Sequence, residues 1–332
     1  MLASTPAEMG TTPRQPDESA NVSEEEPEAV PLTFVDGAAL GRDHLYFLAY
    51  YDDLDPAVYE CTVGTYYDAG DWLSHEDMGH AAISACRFEP VPDTAAMVVA
   101  LSMQGDVHFH GPQGSFEERI PDAGTREVGK LGAMAQVRQI GGSLYACGAH
   151  GQVYRRTRQG WEHIDGPILD RSMERSLSLN GIDGSAEDDI LVVGYHGRIL
   201  RFDGRRWSEL DPPTNLHLER VCCVGRGEAY ACGNRGTLLW IRGESIMDLS
   251  VDIPEHFWGM TVFDGRLYVA TLSAIWVLED GELREIDTGL GGDVEFYRLD
   301  SCEGMLWSIA PKDLIRFDGD TWERVPFPDN EV

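Results

Sequence analysis

Four residues early in the chain have the types from which a metal site could be built: His75, Glu76, Asp77 and His80, in the order His-Glu-x-x-x-His. A zinc-protease helix needs His-Glu-x-x-His, where the two imidazoles sit one turn apart on a single face. Here the spacing is one residue longer and the segment joins two strand-like runs, so it reads as a loop with incidental histidines. His150 and His196 each precede a Gly at matching places, in AHGQ and YHGR. Two imidazoles without a carboxylate make a poor metal site, and turn residues with positive φ account for both. Asp183, Glu187, Asp188 and Asp189 lie in NGIDGSAEDD, yet the alternating oxygen ligands and closing Glu of a calcium loop are absent. Asp/Gly turn chemistry is the simpler account. No cofactor is expected, and no catalytic constellation stands out.

Charge narrows the choice of partner. The 332 residues carry 57 Asp and Glu against 26 Lys and Arg, a formal net charge of −31. Nucleic acid and anionic membranes both require basic surface, so neither is an expected partner. A basic protein is. The first 30 residues are rich in Pro, Glu, Ser and Thr and poor in large apolar groups, which predicts a flexible acidic tail. They lack the basic and apolar regions of a secretory signal, and no run of about 18 apolar residues could span a bilayer. The expectation is a cytoplasmic chain, monomeric when free. Seven cysteines without a Cys-x-x-Cys pair argue against a disulfide framework or a zinc ribbon.

The elements that must position any site emerge from one unit, residues 190–211, ILVVGYHGRILRFDGRRWSELD. An aliphatic run, a Gly-bounded turn, an alternating strand, an Asp-Gly turn and a strand opening on Trp207 make a meander. Its first strand returns around Tyr46, Val98, Tyr145, Leu191, Tyr230, Tyr268 and Trp307, at spacings of 52, 47, 46, 39, 38 and 39 residues. A period near 40 with strand-type units predicts an all-β, seven-bladed propeller with four antiparallel strands per blade. Blade five is read as LERVCCV, GEAYACG, TLLWI and ESIMDL; blade one as LTFVD, HLYFLAYY, AVYECTV and DWLSHE. Residues 31–332 then form one domain, because each blade needs its neighbours to bury both faces. Trp72, Phe116, Trp161, Trp207 and Trp322 recur on outermost strands and are expected to wedge between blades.

Segments such as GSAEDDILVVGYHGRILRFDGRRW and DLIRFDGDTW resemble bacterial propeller repeats related to tryptophan-aspartate repeats and photosystem II assembly-factor propellers. The resemblance implies a fold, and such folds host scaffolds, inhibitors, lectins and enzymes alike. The Asp-Gly-x-x-Trp tail is also similar to the Asp-box of sialidases. The usual Ser two residues before the Asp is missing, Arg201 and Arg316 being followed directly by Phe, and no arginine clamp is assembled by the sequence.

Function is expected on the face formed by the loops between blades and between second and third strands. In EHFWG, Trp258 is the one tryptophan outside a recurring strand position; it neighbours His256 and Phe257 and is rimmed by Asp252 and Glu255. Aromatics beside charge are typical interface anchors. The opposing reading is that Trp258 opens the leading strand of blade six and packs inside. Arg171, Arg175, His217, Arg220 and Asp77 complete the candidate partner-binding set. The sequence favours a non-enzymatic protein-binding propeller, in its specific form an immunity or inhibitor protein that neutralises a basic toxin domain. The alternative is a hydrolase, lyase or sugar-binding propeller whose channel gathers residues such as His75, His80, His150, His196 and His217.

Overall fold

A computed structural model describes residues 30–54, 62–89, 96–172, 178–328 and 330. Seven four-stranded antiparallel sheets follow one another over residues 32–78, 82–119, 134–163, 179–210, 218–248, 259–286 and 298–325. Within each sheet, consecutive strands are hydrogen-bonded neighbours, so every blade is a simple meander. First strands touch in order from blade one to blade seven, and that of blade seven touches that of blade one. The fold is a closed all-β seven-bladed propeller with the first strands around its axis.

Blade four shows why these residues fold this way. Its strands are Leu179–Ala186, Asp189–Gly194, Ile199–Phe202 and Trp207–Leu210. The second is buried along its whole length, which suits its continuous aliphatic run. At the outer hairpin the Asp203 carboxylate accepts the N–H groups of Arg205 (2.8 Å) and Arg206 (2.7 Å), and Gly204 takes φ 88°. This is Asx-turn chemistry, and these hydrogen bonds hold the Asp203 carboxyl below its ordinary pKa. Between second and third strands a tight turn, Tyr195–Gly197, places His196 at φ 60°; the matching turns place His150 at φ 57° and Arg235 at φ 56°. The His-Gly pairs are thus turn formers.

The outermost aromatics pack as the repeat predicts, with one departure. Trp161 donates its indole N–H to Glu118 of blade two (3.0 Å), and Trp207 donates to the Ile164 carbonyl after blade three (2.7 Å). Trp72 and Trp322 join the apolar clusters of their seams. Phe116 is instead 44% exposed, stacked on Phe109 at 4.5 Å.

Blade one departs from the sequence reading twice. Its third strand is Thr62–Asp68, not residues 57–63; its alternating Tyr66 and Tyr67 pair with Tyr46 and Leu45. Residues 57–61 lie outside the described residues. Its last strand runs Asp71–Met78, two residues past DWLSHE, so Asp77 as well as His75 and Glu76 sits on a strand rather than in the interblade loop.

Two systems close the ring. A belt of side-chain to backbone bonds links neighbouring first strands: the amides of Ala39, Ala85, Val137, Ile182 and Cys223 donate to Asp300, Asp36, Ser84, Gln136 and Asp183. At the seam between blades one and seven no strand is exchanged among the described residues. There Leu32 N–H donates to Asn330 Oδ1 (2.8 Å), Asn330 Nδ2 donates back to the Leu32 carbonyl (3.0 Å), and Phe34 N–H donates to Pro311 O (2.9 Å). Phe327 packs edge-on against Phe34, Phe47 and Trp72. The acidic tail at residues 1–29 lies outside the described residues.

Candidate partner-binding face

Because strands alternate in direction, the connections between blades and the turns between second and third strands share one face. On it the loop of residues 250–258 carries half of the candidates. Asp252 and Glu255 are exposed, and His256 and Trp258 are half-buried. His256 Nδ1 accepts the backbone N–H of Arg235 (3.0 Å), supporting the positive-φ turn of blade five. His217 repeats this one blade earlier, its Nδ1 accepting from His196 N–H (3.0 Å) while its ring stacks on Tyr195 at 4.3 Å. Both histidines thus latch a loop to the preceding blade.

Phe257 requires a correction. Its ring is fully buried among Cys232, Leu238, Met260, Leu267 and Val269, so it is core and not a surface contact. Its N–H donates to Gly233 O (2.9 Å), and the next N–H, of Trp258, donates to Ala270 O (2.9 Å), which points alternate side chains inward and outward. Trp258 falls between the two sequence readings: it precedes the first strand of blade six, Gly259–Phe263, and keeps part of its surface free. Its ring lies 5.4 Å from His256 and 5.6 Å from Tyr297. Arg171 is exposed on the connection between blades three and four; Arg175 lies outside the described residues. Asp77 is exposed on blade one, accepting from the Tyr51 hydroxyl (3.3 Å).

The channel mouth on this face is a cavity of about 500 Å³. Arg220, 8% exposed, lines it together with Arg298, Tyr297, Glu219, Asn180 and Tyr50. Loss of water, with a further contribution from the charge of Arg298, lowers the Arg220 pKa to about 10. Arg298 stacks over Tyr297 at 4.2 Å and donates to the Trp258 carbonyl (2.6 Å). The structure therefore joins His256, Trp258 and Arg220 through Tyr297 and Arg298, two residues the sequence reading did not single out. A signal was present: Arg220 pairs with Cys232 and Arg298 with Ile309, equivalent rungs of blades five and seven. Superposing LERVCCV on FYRLDSC would have set the two arginines side by side.

Further down the axis, a cavity of about 250 Å³ is lined by Arg138, Asp183, Asp300, Cys86, Cys222 and Cys302. Burial opposes the charge of Arg138, but Asp300, Asp183 and Asp36 together hold its pKa above the usual value. Burial raises the carboxyls of Asp183 and Asp300, and pushes the thiols of Cys86 and Cys222 up to about 12. Thiols so protonated are poor nucleophiles. Asp183, part of the calcium-like cluster, is thus a strut of the belt. Among the described residues no group of three or more His, Cys, Asp or Glu side chains is placed to hold a metal ion. None of His80, His150, His196 and His217 lines the mouth cavity; the His75 side chain is outside the described set. No helix is long and apolar enough to cross a membrane among the described residues.

Fold and face together define a seven-bladed β-propeller whose channel mouth sets two arginines among apolar and aromatic side chains. Solved structures agree at the level of fold. YCF48 from Cyanidioschyzon merolae is 12% identical with a TM-score of 0.61, covering 88% of this chain and 97% of its own. The WD40 propeller domain of Doa1 is 10% identical with a TM-score of 0.63, covering 87% and 93%. Virginiamycin B lyase from Staphylococcus aureus is 14% identical with a TM-score of 0.59, covering 74% and 84%. No protein-family profile matches the chain. The immune protein Tsi7 of Pseudomonas aeruginosa is 33% identical over 295 residues, 88% of this chain and 96% of that protein. The chain belongs to the family of immune protein Tsi7.

Proposed function

We propose that this propeller is an immunity protein that binds a protein toxin and neutralises it by occupying its surface. Kinship with Tsi7 across nearly the whole fold carries this reading. The face described above supports it, with half-buried Trp258 as the anchor, His256, Asp252, Glu255 and His217 around it, and Arg171 and Asp77 further out. The partner is basic in this reading, because a net charge of −31 then speeds encounter by up to about 10³-fold at low salt. The binding takes place in the cytoplasm, with a free chain that is monomeric.

The test is affinity capture from the source cell at low and moderate salt, followed by expression of the captured protein alone and together with this chain. A captured protein that stops growth alone and is harmless in the pair supports immunity. Growth arrest that persists in the pair, or capture of no growth-inhibiting protein, overturns it. With the toxin in hand, Trp258→Ala is expected to weaken the complex by more than about 30-fold, the usual scale of a buried aromatic anchor.

A further inference from the structure

Among the described residues, Arg220 and Arg298 hold charge that no ion pair neutralises. Carboxylates are abundant in a chain with 57 of them, and many arginines take one, as Arg156 does with Glu118 and Arg226 with Asp188. The two mouth arginines form no ion pair within the described residues. Arg220 Nη1 donates only to carbonyls, those of Glu219 (2.8 Å) and Asn180 (3.3 Å). Arg298 Nη1 donates to Trp258 O, and its buried Nε has no partner. A guanidinium offers five N–H donors, so most of the pair's capacity remains open beside a shared cavity. Two like charges held together without a paired counter-charge are costly, and a bound anion would relieve that cost.

We propose that Arg220 and Arg298 form an oxyanion site that receives the carboxylate of an Asp or Glu side chain projecting from the bound protein partner. The proposal rests on the partner reading above and adds the chemistry of its central contact. Two guanidinium forks match a carboxylate in bidentate fashion. The cavity, about 500 Å³, is larger than a free phosphate needs and opens beside Trp258, where a partner's surface would lie. The partner is then a basic protein with one acidic side chain at the centre of its footprint.

Calorimetric titration of the full chain with sodium glutarate, against sodium phosphate and against sodium chloride at equal ionic strength, tests the site without any partner. Saturable glutarate binding, lost in Arg220→Gln and Arg298→Gln variants that keep the wild-type Tm, is expected. Absence of such binding, or its persistence in both variants, overturns the site. Phosphate binding at least tenfold tighter than glutarate overturns the side-chain source. In the complex with the captured toxin, Arg298→Gln should weaken binding by about 30-fold, within the range for truncating a buried interfacial charge. Unchanged affinity overturns the proposal even if glutarate binds. Should either glutamine variant melt early, Arg→Lys variants serve instead, since they keep the charge and lose the fork: glutarate must bind them more weakly than wild type, and equal binding overturns the proposal. A wild-type chain that captures no toxin fails the earlier reading instead, and the glutarate titration keeps the two failures apart.

Discussion

His80 closes the His75, Glu76, His80 run, and its burial decides what that run can do. It is 7% exposed, and its Nε2 has no hydrogen-bond partner. Burial lowers its pKa, outweighing the opposing pull of Asp106 and Glu117. The unfolded imidazole takes up its proton near pH 6.5 whereas the folded one resists, so stability is intact above that value and falls as pH drops toward the folded pKa. His80→Gln is expected to reduce the loss of unfolding free energy between pH 7.5 and 5.5 by up to about 1 kcal/mol, measured by urea unfolding. At this scale the sequence was legible where a local rule operates. His150 and His196 before glycine announced positive φ, and Asp203-Gly204 announced its turn. It carried Arg298 and Tyr297 only in the superposition of two repeats, because their meaning depends on blade five arriving at the same mouth. It was misleading at Phe257, where a one-residue alternation separates the core from Trp258.

Among elements, the first strand of blade six shows how closely the axis is packed. Gly259 has room for no side chain: a Cβ there would lie 2.2 Å from Tyr297 O and 3.0 Å from Arg298 Cα. Gly181 plays the same part for blade five, where a Cβ would lie 3.1 Å from Arg220 Cα. Both mouth arginines therefore sit where the preceding blade offers bare backbone. Gly259→Ala is expected to destabilise the fold by roughly 1–3 kcal/mol through a forced backbone shift, read by chemical unfolding. In the Tsi7-like reading it should also weaken toxin binding, because Arg298 moves with the strand. Strand periodicity gave blade five almost residue for residue, since Gly-bounded turns punctuate it. It failed in blade one, where residues 57–63 alternate like a strand although the ladder to the second strand is made by Thr62–Asp68.

For the whole molecule, closure depends on a few groups at one seam. Asn330 is 8% exposed and bonds both polar groups of Leu32. Asn330→Ala leaves the buried Leu32 amide unpaired, while the Leu32 carbonyl keeps Lys312 Nζ as a donor (2.9 Å); it is expected to cost about 1–3 kcal/mol, with faster hydrogen exchange at Leu32 as the local sign. Phe327→Ala empties the pocket between Phe34, Phe47 and Trp72 and should cost about 3–5 kcal/mol, measured by the shift in urea midpoint. The number of blades was legible from the 40-residue period; the manner of closure was not, because Asn330 and Phe327 belong to no repeat. Charge also acts at this scale. Association with a basic toxin should slow as salt rises, with stopped-flow rates at 50 and 300 mM salt as the check; a flat profile would remove steering from the mechanism.

The clasp at Leu32 and Asn330 also brings the described ends of the chain together at one junction of the ring. Tension applied through those ends loads that junction first, and the remaining seams bear force only after it parts. Under a pulling force the ring should therefore open like a bracelet at its fastening and shed blades from its free ends. Each blade of about 40 residues then pays out roughly 140 Å of chain, a sawtooth whose first tooth is the clasp itself.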